Sequence, residues 1–381
     1  MVDWKTVTLG DICTRVCSGG TPKSNVEEYY NGDIPWLNTG EVDFNRIYET
    51  ERSISQLGFD NSSAKWVEPD TIVVAMYGAT AGKIGIIKRR MTTNQACCNL
   101  TINPLLADYN YVYYFLKTKY DYLLSLANGG AQQNLNAGII KQLEIPLPVL
   151  ETQKRIAQIL SSLDDKIEVN NQINRNLKEQ MQAIYKEFAD NSKNKVPLHD
   201  LCSYANEKIL VSNLNANNYF STENILPNKA GAVDASALPT CSMTTKVQPG
   251  DILVSNIRPY FKKILFCVTH GGCSPDVLCF RPHNPSYSSY LYCSLYSDTF
   301  FDYMMSGAKG TKMPRGDKNH IMSYLISMPD KPDIIIFNSI VVPIMQECIQ
   351  NRKENNMLSN LLDTLLPIVF EKESIEKIIG F

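Results

Sequence analysis

A chain of 381 residues, 44% hydrophobic and 20% charged, is long and apolar enough to bury more than one core, which excludes a disordered tail or a fibrous repeat. Its net charge of −2 excludes a protein that coats nucleic acid by charge alone, leaving only local basic patches for such contacts. Eleven cysteines without the spacing of a disulfide framework point to reduced thiols in a cytoplasmic protein, and no stretch reads as a signal peptide or a membrane span.

In chain order, residues 1–150 alternate short apolar runs with Gly, Pro and Asn. Thr71 to Tyr77, Ile84 to Ile87 and Cys98 to Ile102 are rich in β-branched and aromatic residues and are predicted strands. Tyr113, Leu116, Tyr120, Leu123 and Leu124 recur at helical spacing within Asn110 to Ala127. An α+β domain over 1–150 follows. A long helix is predicted over 151–192, since Gly and Pro are absent from Glu151 to Phe188. Ile156, Leu160, Leu163, Ile167, Asn170, Asn174, Leu177, Met181, Ile184 and Phe188 step by four and three, a seam of roughly five heptads with a polar centre. At about 1.5 Å per residue it spans roughly 57 Å, enough to hold two domains apart.

A second α+β domain is predicted over 193–332 and a second long helix over 333–381. Its seam reads Ile340, Ile344, Glu347, Asn351, Glu354, Leu358, Leu361, Leu365 and Ile368, polar again at its centre. Pro343 and Pro367 are expected to kink or end its outer turns. Two seams with polar centres suit an antiparallel coiled coil, in which buried Asn fixes register at a cost in stability.

The two halves repeat one another. Val7-Thr8-Leu9-Gly10-Asp11-Ile12 returns as Val196-Pro197-Leu198-His199-Asp200-Leu201, and Val67-Glu68-Pro69-Asp70 returns as Val247-Gln248-Pro249-Gly250. Ile145-Pro146 returns as Met328-Pro329 ahead of the second helix. A duplicated unit of this kind presents two similar surfaces.

Catalytic patterns fail on their chemistry. Gly78-Ala79-Thr80-Ala81-Gly82-Lys83 resembles a P-loop, but three residues rather than four separate its glycines, and Ile84 cannot serve magnesium. Asn284-Pro285-Ser286-Tyr287 nearly matches the tetrapeptide with which amino-methyltransferases hold an adenine, yet no cofactor turn precedes it. Asp164-Asp165-Lys166 reads as a solvated helix face rather than a nuclease site. His270, Cys273, Cys279 and His283 are too irregularly spaced for structural zinc. No catalytic residue and no metal ligand are assigned.

Polar and basic clusters remain in both copies. In the first they are Thr39, Thr80, Lys83, Lys88, Arg89, Arg90, Asn94, Gln95, Gln133 and Asn134. In the second they are Asn256, Arg258, Tyr260, Lys262, Lys263, Asp276, Lys309, Lys312, Arg315 and Lys318, of which Asn256, Arg258, Tyr260, Lys262, Lys263, Lys312 and Arg315 are the expected contacts. Lys and Arg grip phosphates, while Asn, Gln and Arg read base edges in the major groove.

Taken together, several motifs carry a family resemblance. They are Ser18-Gly19-Gly20-Thr21-Pro22, Ile34-Pro35-Trp36-Leu37-Asn38-Thr39-Gly40-Glu41, Gly78 to Gly85, Thr93-Asn94-Gln95, Gln132-Gln133-Asn134-Leu135 and Glu151-Thr152-Gln153-Lys154-Arg155-Ile156-Ala157. In this order the chain resembles a specificity subunit of a type I restriction-modification system over essentially its whole length. The second copy departs from the pattern, with Ser255-Asn256-Ile257-Arg258-Pro259-Tyr260-Phe261-Lys262-Lys263 in place of the Gly-Lys turn. The resemblance implies two target recognition domains, each reading half of a bipartite site in double-stranded DNA. It also implies helices that set the unread spacer and dock two modification subunits. Those partners would bring S-adenosylmethionine, this chain holding no cofactor, and restriction or translocase subunits could join them. The alternatives are a DNA methyltransferase or nuclease with an unfamiliar site, a coiled-coil protein adaptor, or a silent copy of such a subunit.

Overall fold

Ile72–Ala75 is apolar at every position and buried at every position, as a strand covered on both faces must be. Its side chains alternate: Ile72 and Val74 enter one core, Val73 and Ala75 another. The computed structural model describes residues 4–128 and 135–370. They form two units, Met1–Val169 with Glu354–Phe381, and Asn170–Lys353.

In the first unit the five-stranded sheet runs Cys13–Ser18, Cys97–Ile102, Ile72–Ala75, Ile84–Ile87, Asn45–Ile47, antiparallel except for the last pair. A second sheet runs Ser53–Ile54, Tyr30–Leu37, Met91–Thr93, Trp66–Val67. Tyr109–Thr118 covers the first sheet, burying Tyr111, Val112, Tyr114, Phe115 and Leu116.

The second unit repeats this plan. One sheet runs Cys202–Tyr204, Val277–Pro282, Ile252–Ser255, Ile264–Phe266, and the other Lys208–Leu210, Met243–Val247, Gly271–Cys273, Tyr219–Phe220. The match extends to single hydrogen bonds. Ala75 N donates to Lys83 O (2.9 Å) and Ser255 N to Lys263 O (3.1 Å); Met76 N donates to Ala96 O (2.9 Å) and Asn256 N to Asp276 O (2.8 Å). Asp70 and Gly250 take the same left-handed turn position, at φ 63° and 90°. The units differ at their margins. Asn45–Ile47 has no counterpart, and Lys208–Leu210 extends the second sheet at the edge opposite to that extended by Ser53–Ile54.

A two-stranded ladder closes each unit, Lys5–Thr8 against Glu144–Leu147 and Asn194–Pro197 against Leu325–Met328. A buried tyrosine ties down each exit strand: Tyr111 donates to Pro146 O (2.5 Å) and Tyr290 to Ser327 O (2.6 Å). Each exit strand leads into a long helix, Leu150–Asn191 or Lys331–Val369.

The first helix buries the predicted seam, with Ile156, Leu160, Asn170 and Met181 fully covered. Within each unit the two helices run antiparallel. In the first, Lys166 pairs with Glu354 (3.4 Å), and Leu160 shares a core with Leu362 and Leu366. In the second, Asn351 donates to Asn174 Oδ1 (3.1 Å) and Asn174 donates to Cys348 O (3.3 Å). The second helix differs from expectation. Its buried side is Ile334, Phe337, Val341, Met345, Cys348, Asn351, Leu362, Leu366 and Val369, while Ile340 and Leu361 are exposed. Pro343 does not end it, because that residue faces solvent, where the carbonyl one turn back can bond water. Pro367 likewise lies within it. By length and composition alone this helix is apolar enough to cross a membrane, contrary to the sequence expectation, and only 28% of its most apolar stretch is buried. Asp164-Asp165-Lys166 is not merely a solvated face either: Asp164 accepts from Tyr114 (2.6 Å) and Asp165 pairs with Arg46.

The cysteines are all free thiols, and Cys241 is the one classed as exposed. Burial pushes Cys97, Cys98 and Cys202 up to about 12. A maleimide at neutral pH is therefore expected to label Cys241 first in the folded protein. Peptide mapping checks this, and equally fast labelling of Cys97 or Cys202 would contradict the cores described.

Candidate nucleic-acid interface

In the first unit the turn after Ile72–Ala75 is made by two left-handed glycines, Gly78 (φ 93°) and Gly82 (φ 80°). It presents Tyr77, Gly78 and Ala79 to solvent. Thr80 turns back and donates to Thr39 O (2.5 Å). Asn94 donates to Asn38 Oδ1 (3.2 Å), and Thr21 bonds Gln95. Thr39, Thr80, Asn94 and Gln95 thus share one edge. Lys83 stands beside them, held by Asp43 (2.6 Å).

Lys88, Arg89 and Arg90 do not join that edge. The whole strand Ile84–Ile87 separates them from Lys83, about 13 Å of extended chain. There Lys88 pairs with Asp70 (2.6 Å), and Arg90 pairs with Glu68 (3.0 Å) and lies over the Trp66 ring (4.4 Å). Their adjacency to Lys83 in sequence is undone by the strand between them. Arg89 is exposed. Gln133 and Asn134, with Gln132, lie outside the described residues.

In the second unit the predicted residues converge more fully. Arg258 and Lys262 occupy the positions of Gly78 and Gly82, and both are left-handed at φ 50°. The hairpin Lys309 to Gly316 packs on this turn: Arg258 N donates to Pro314 O (2.8 Å) and Gly316 N to Asn256 O (3.2 Å). Tyr260, Lys312 and Arg315 are exposed. Several of these cations also have partners. Arg315 pairs with Asp276 (3.2 Å), Lys262 with Asp298 (2.9 Å), and Lys263 donates to Thr222 O. Among the described residues Lys312 has neither ion pair nor hydrogen bond.

The sequence reading left out Thr21, Asn38 and Tyr77 as contact residues, although each lies in or beside a motif that carried the resemblance. Lys309, named in the second cluster, is paired with Asp317 (2.7 Å) and belongs to the second edge. Among the described residues no three His, Cys, Asp or Glu side chains gather as a metal site.

Residues 1–179 match the family model described as "Type I restriction modification DNA specificity domain". The first 179 residues thus match a DNA specificity domain of type I restriction-modification systems, and the chain as a whole is similar to their specificity subunits. It is 24% identical to the MjaIX specificity subunit of Methanocaldococcus jannaschii over 99% of this chain and 95% of that protein. It is 30% identical to the MjaVIII specificity subunit of the same organism over 45% of this chain and 38% of that one. Its fold is like that of the type I restriction-modification S subunit from M. genitalium, at TM-score 0.60 and 18% identity, with 97% of each chain covered. These matches are named as specificity subunits, and the matched family model as a DNA specificity domain of restriction-modification. Beyond residue 179 the second unit lies outside the family model's span, and both turn glycines are lost there.

Proposed function

We propose that each unit reads one half of a bipartite site in double-stranded DNA. The observation that carries this reading is the recurrence of one turn backbone, Gly78 to Gly82 and Arg258 to Lys262, at the same sheet edge with different side chains. Repetition with divergence is what two different half-sites require. The long helices set the unread spacer and dock two modification subunits. Ile335, Ile336 and Ile340 on the second helix are exposed together, an apolar surface that a protein partner would cover. S-adenosylmethionine and the methyl transfer to a flipped adenine belong to those partners. The chain itself is a non-catalytic cytoplasmic protein, and restriction or translocase subunits complete the assembly where the host encodes them.

The test is methylome sequencing of a methylation-free host expressing this chain with a modification subunit. Methyladenine at one split motif with a constant spacer is expected. Lys83→Glu is expected to reduce methylation through one half-site and Arg258→Glu through the other. No methylation by an assembled complex would favour a protein adaptor or a silent copy, and methylation without the partner would make the chain an enzyme.

A further inference from the structure

The two recognition turns share a backbone but not a charge. Left-handed φ is nearly free for glycine and strained for residues with a Cβ, and the first unit uses glycine at both positions. The second unit holds Arg258 and Lys262 there instead. Strain kept at a surface turn, where glycine demonstrably builds the same turn, points to a use for the side chains. Arg258 Nε is also buried without a hydrogen-bond partner, as is Asn256 Oδ1 two residues before it. Among the described residues no group therefore ties the Arg258 guanidinium down through Nε.

The surroundings differ in the same sense. The second turn and its hairpin gather Arg258, Lys262, Lys263, Lys309, Lys312 and Arg315, against three carboxylates in ion pairs, Asp276, Asp298 and Asp317. The first edge has Lys83, neutralised by Asp43, beside Tyr77, Thr80, Asn94 and Gln95. We propose that the turn and hairpin of the second unit form a phosphate clamp anchored by Arg258, and that the first unit reads DNA through neutral groups. The two half-sites are then held by different forces, one salt-sensitive and one not. This rests on the reading of both edges as DNA-binding.

The experiment measures DNA affinity against salt for the complex assembled with its modification subunits, using the parent, Arg258→Gly and Arg258→Lys. Because glycine already makes this turn in the first unit, Arg258→Gly is expected to keep the parent's melting temperature or exceed it. Its plot of log affinity against log salt is expected to flatten by about one unit, with binding about fivefold weaker near 0.15 M salt on specific and nonspecific DNA alike. Arg258→Lys is expected to restore slope and affinity. Parent-like slope and affinity in Arg258→Gly would overturn the clamp. So would an Arg258→Lys complex with the parent's slope but a changed base preference at one half-site, which would make Arg258 a base reader. A parent complex that bound no DNA would instead overturn the reading beneath the clamp.

Discussion

Asp251→Ala is expected to destabilise the second unit by about 3–5 kcal/mol, the range for removing one partner of a buried ion pair. Asp251 is 2% exposed and is gripped in a fork by Arg281, with Nε to Oδ1 at 3.0 Å and an Nη to Oδ2 at 2.8 Å. Its carboxylate also accepts from Gln248 N (2.8 Å). Removing it leaves a guanidinium among Lys246 O, Glu207 and an apolar sheet. The first unit shows how the same place is filled without charge. Thr71 and Thr101 stand at the equivalent positions, with their hydroxyls 3.2 Å apart. The double variant Asp251→Thr, Arg281→Thr is therefore expected to recover most of what Asp251→Ala loses. Urea unfolding of the three proteins tests this; a double variant as unstable as Asp251→Ala would mean the two sites are not interchangeable.

Gly19→Ala is the second large effect expected, and it falls on the first unit. Gly19 N donates to Cys97 O (3.2 Å) and Gly20 N to Thr93 O (2.8 Å), which draws this segment against the end of Met91–Thr93. A Cβ on Gly19 would fall inside the van der Waals radii of Thr93 O and Asn94 O, both backbone atoms. Overpacking of this kind costs about 1–3 kcal/mol or more, and here the segment forced aside carries Asn94 and Gln95. Lower stability and a selective loss of one half-site in the methylome are expected together. Gly40→Ala is the control, since nothing lies within 4 Å of its added Cβ. If Gly40→Ala damages the protein as much as Gly19→Ala, crowding is not the cause.

The first helix is readable because an apolar and Asn seam keeps one period from Ile156 to Phe188, with only scattered apolar residues such as Ile159, Val169 and Ile173 off it. The second starts Ile334-Ile335-Ile336-Phe337, apolar on every side, so no period distinguishes its buried face. Packing decides it: Phe337 packs edge-on against Tyr290 and Phe188, Ile334 and Val341 enter the same core, and Ile340 stays outside. The repeat was legible in the strand and turn motifs but not in the recognition turns, where Gly78 and Arg258 share a backbone and no chemistry. Sequence names the basic residues by type but not the carboxylates beside them. Lys83, Lys88, Arg90 and Arg315 are held by Asp43, Asp70, Glu68 and Asp276, carboxylates remote in sequence and brought near only by strand pairing. Lys88 was further misplaced because a strand carries its two ends to opposite margins of a sheet.

The closing ladders have a consequence for how such a chain can change. Lys5–Thr8 lies beside Glu144–Leu147, and Asn194–Pro197 beside Leu325–Met328, so each unit is entered and left at the same point. Everything between the two strands of a ladder is a cassette clasped by backbone hydrogen bonds, which are indifferent to the side chains it encloses. A graft joined within the ladders would keep their four residue pairs, but it would also have to match the helices. Tyr114 bonds Asp164, Arg46 pairs with Asp165, and Ile72 and Tyr111 share a core with Leu160 and Leu362. Recombination at those two seams would then give a chain a new vocabulary while leaving its grammar, the helices, as it was.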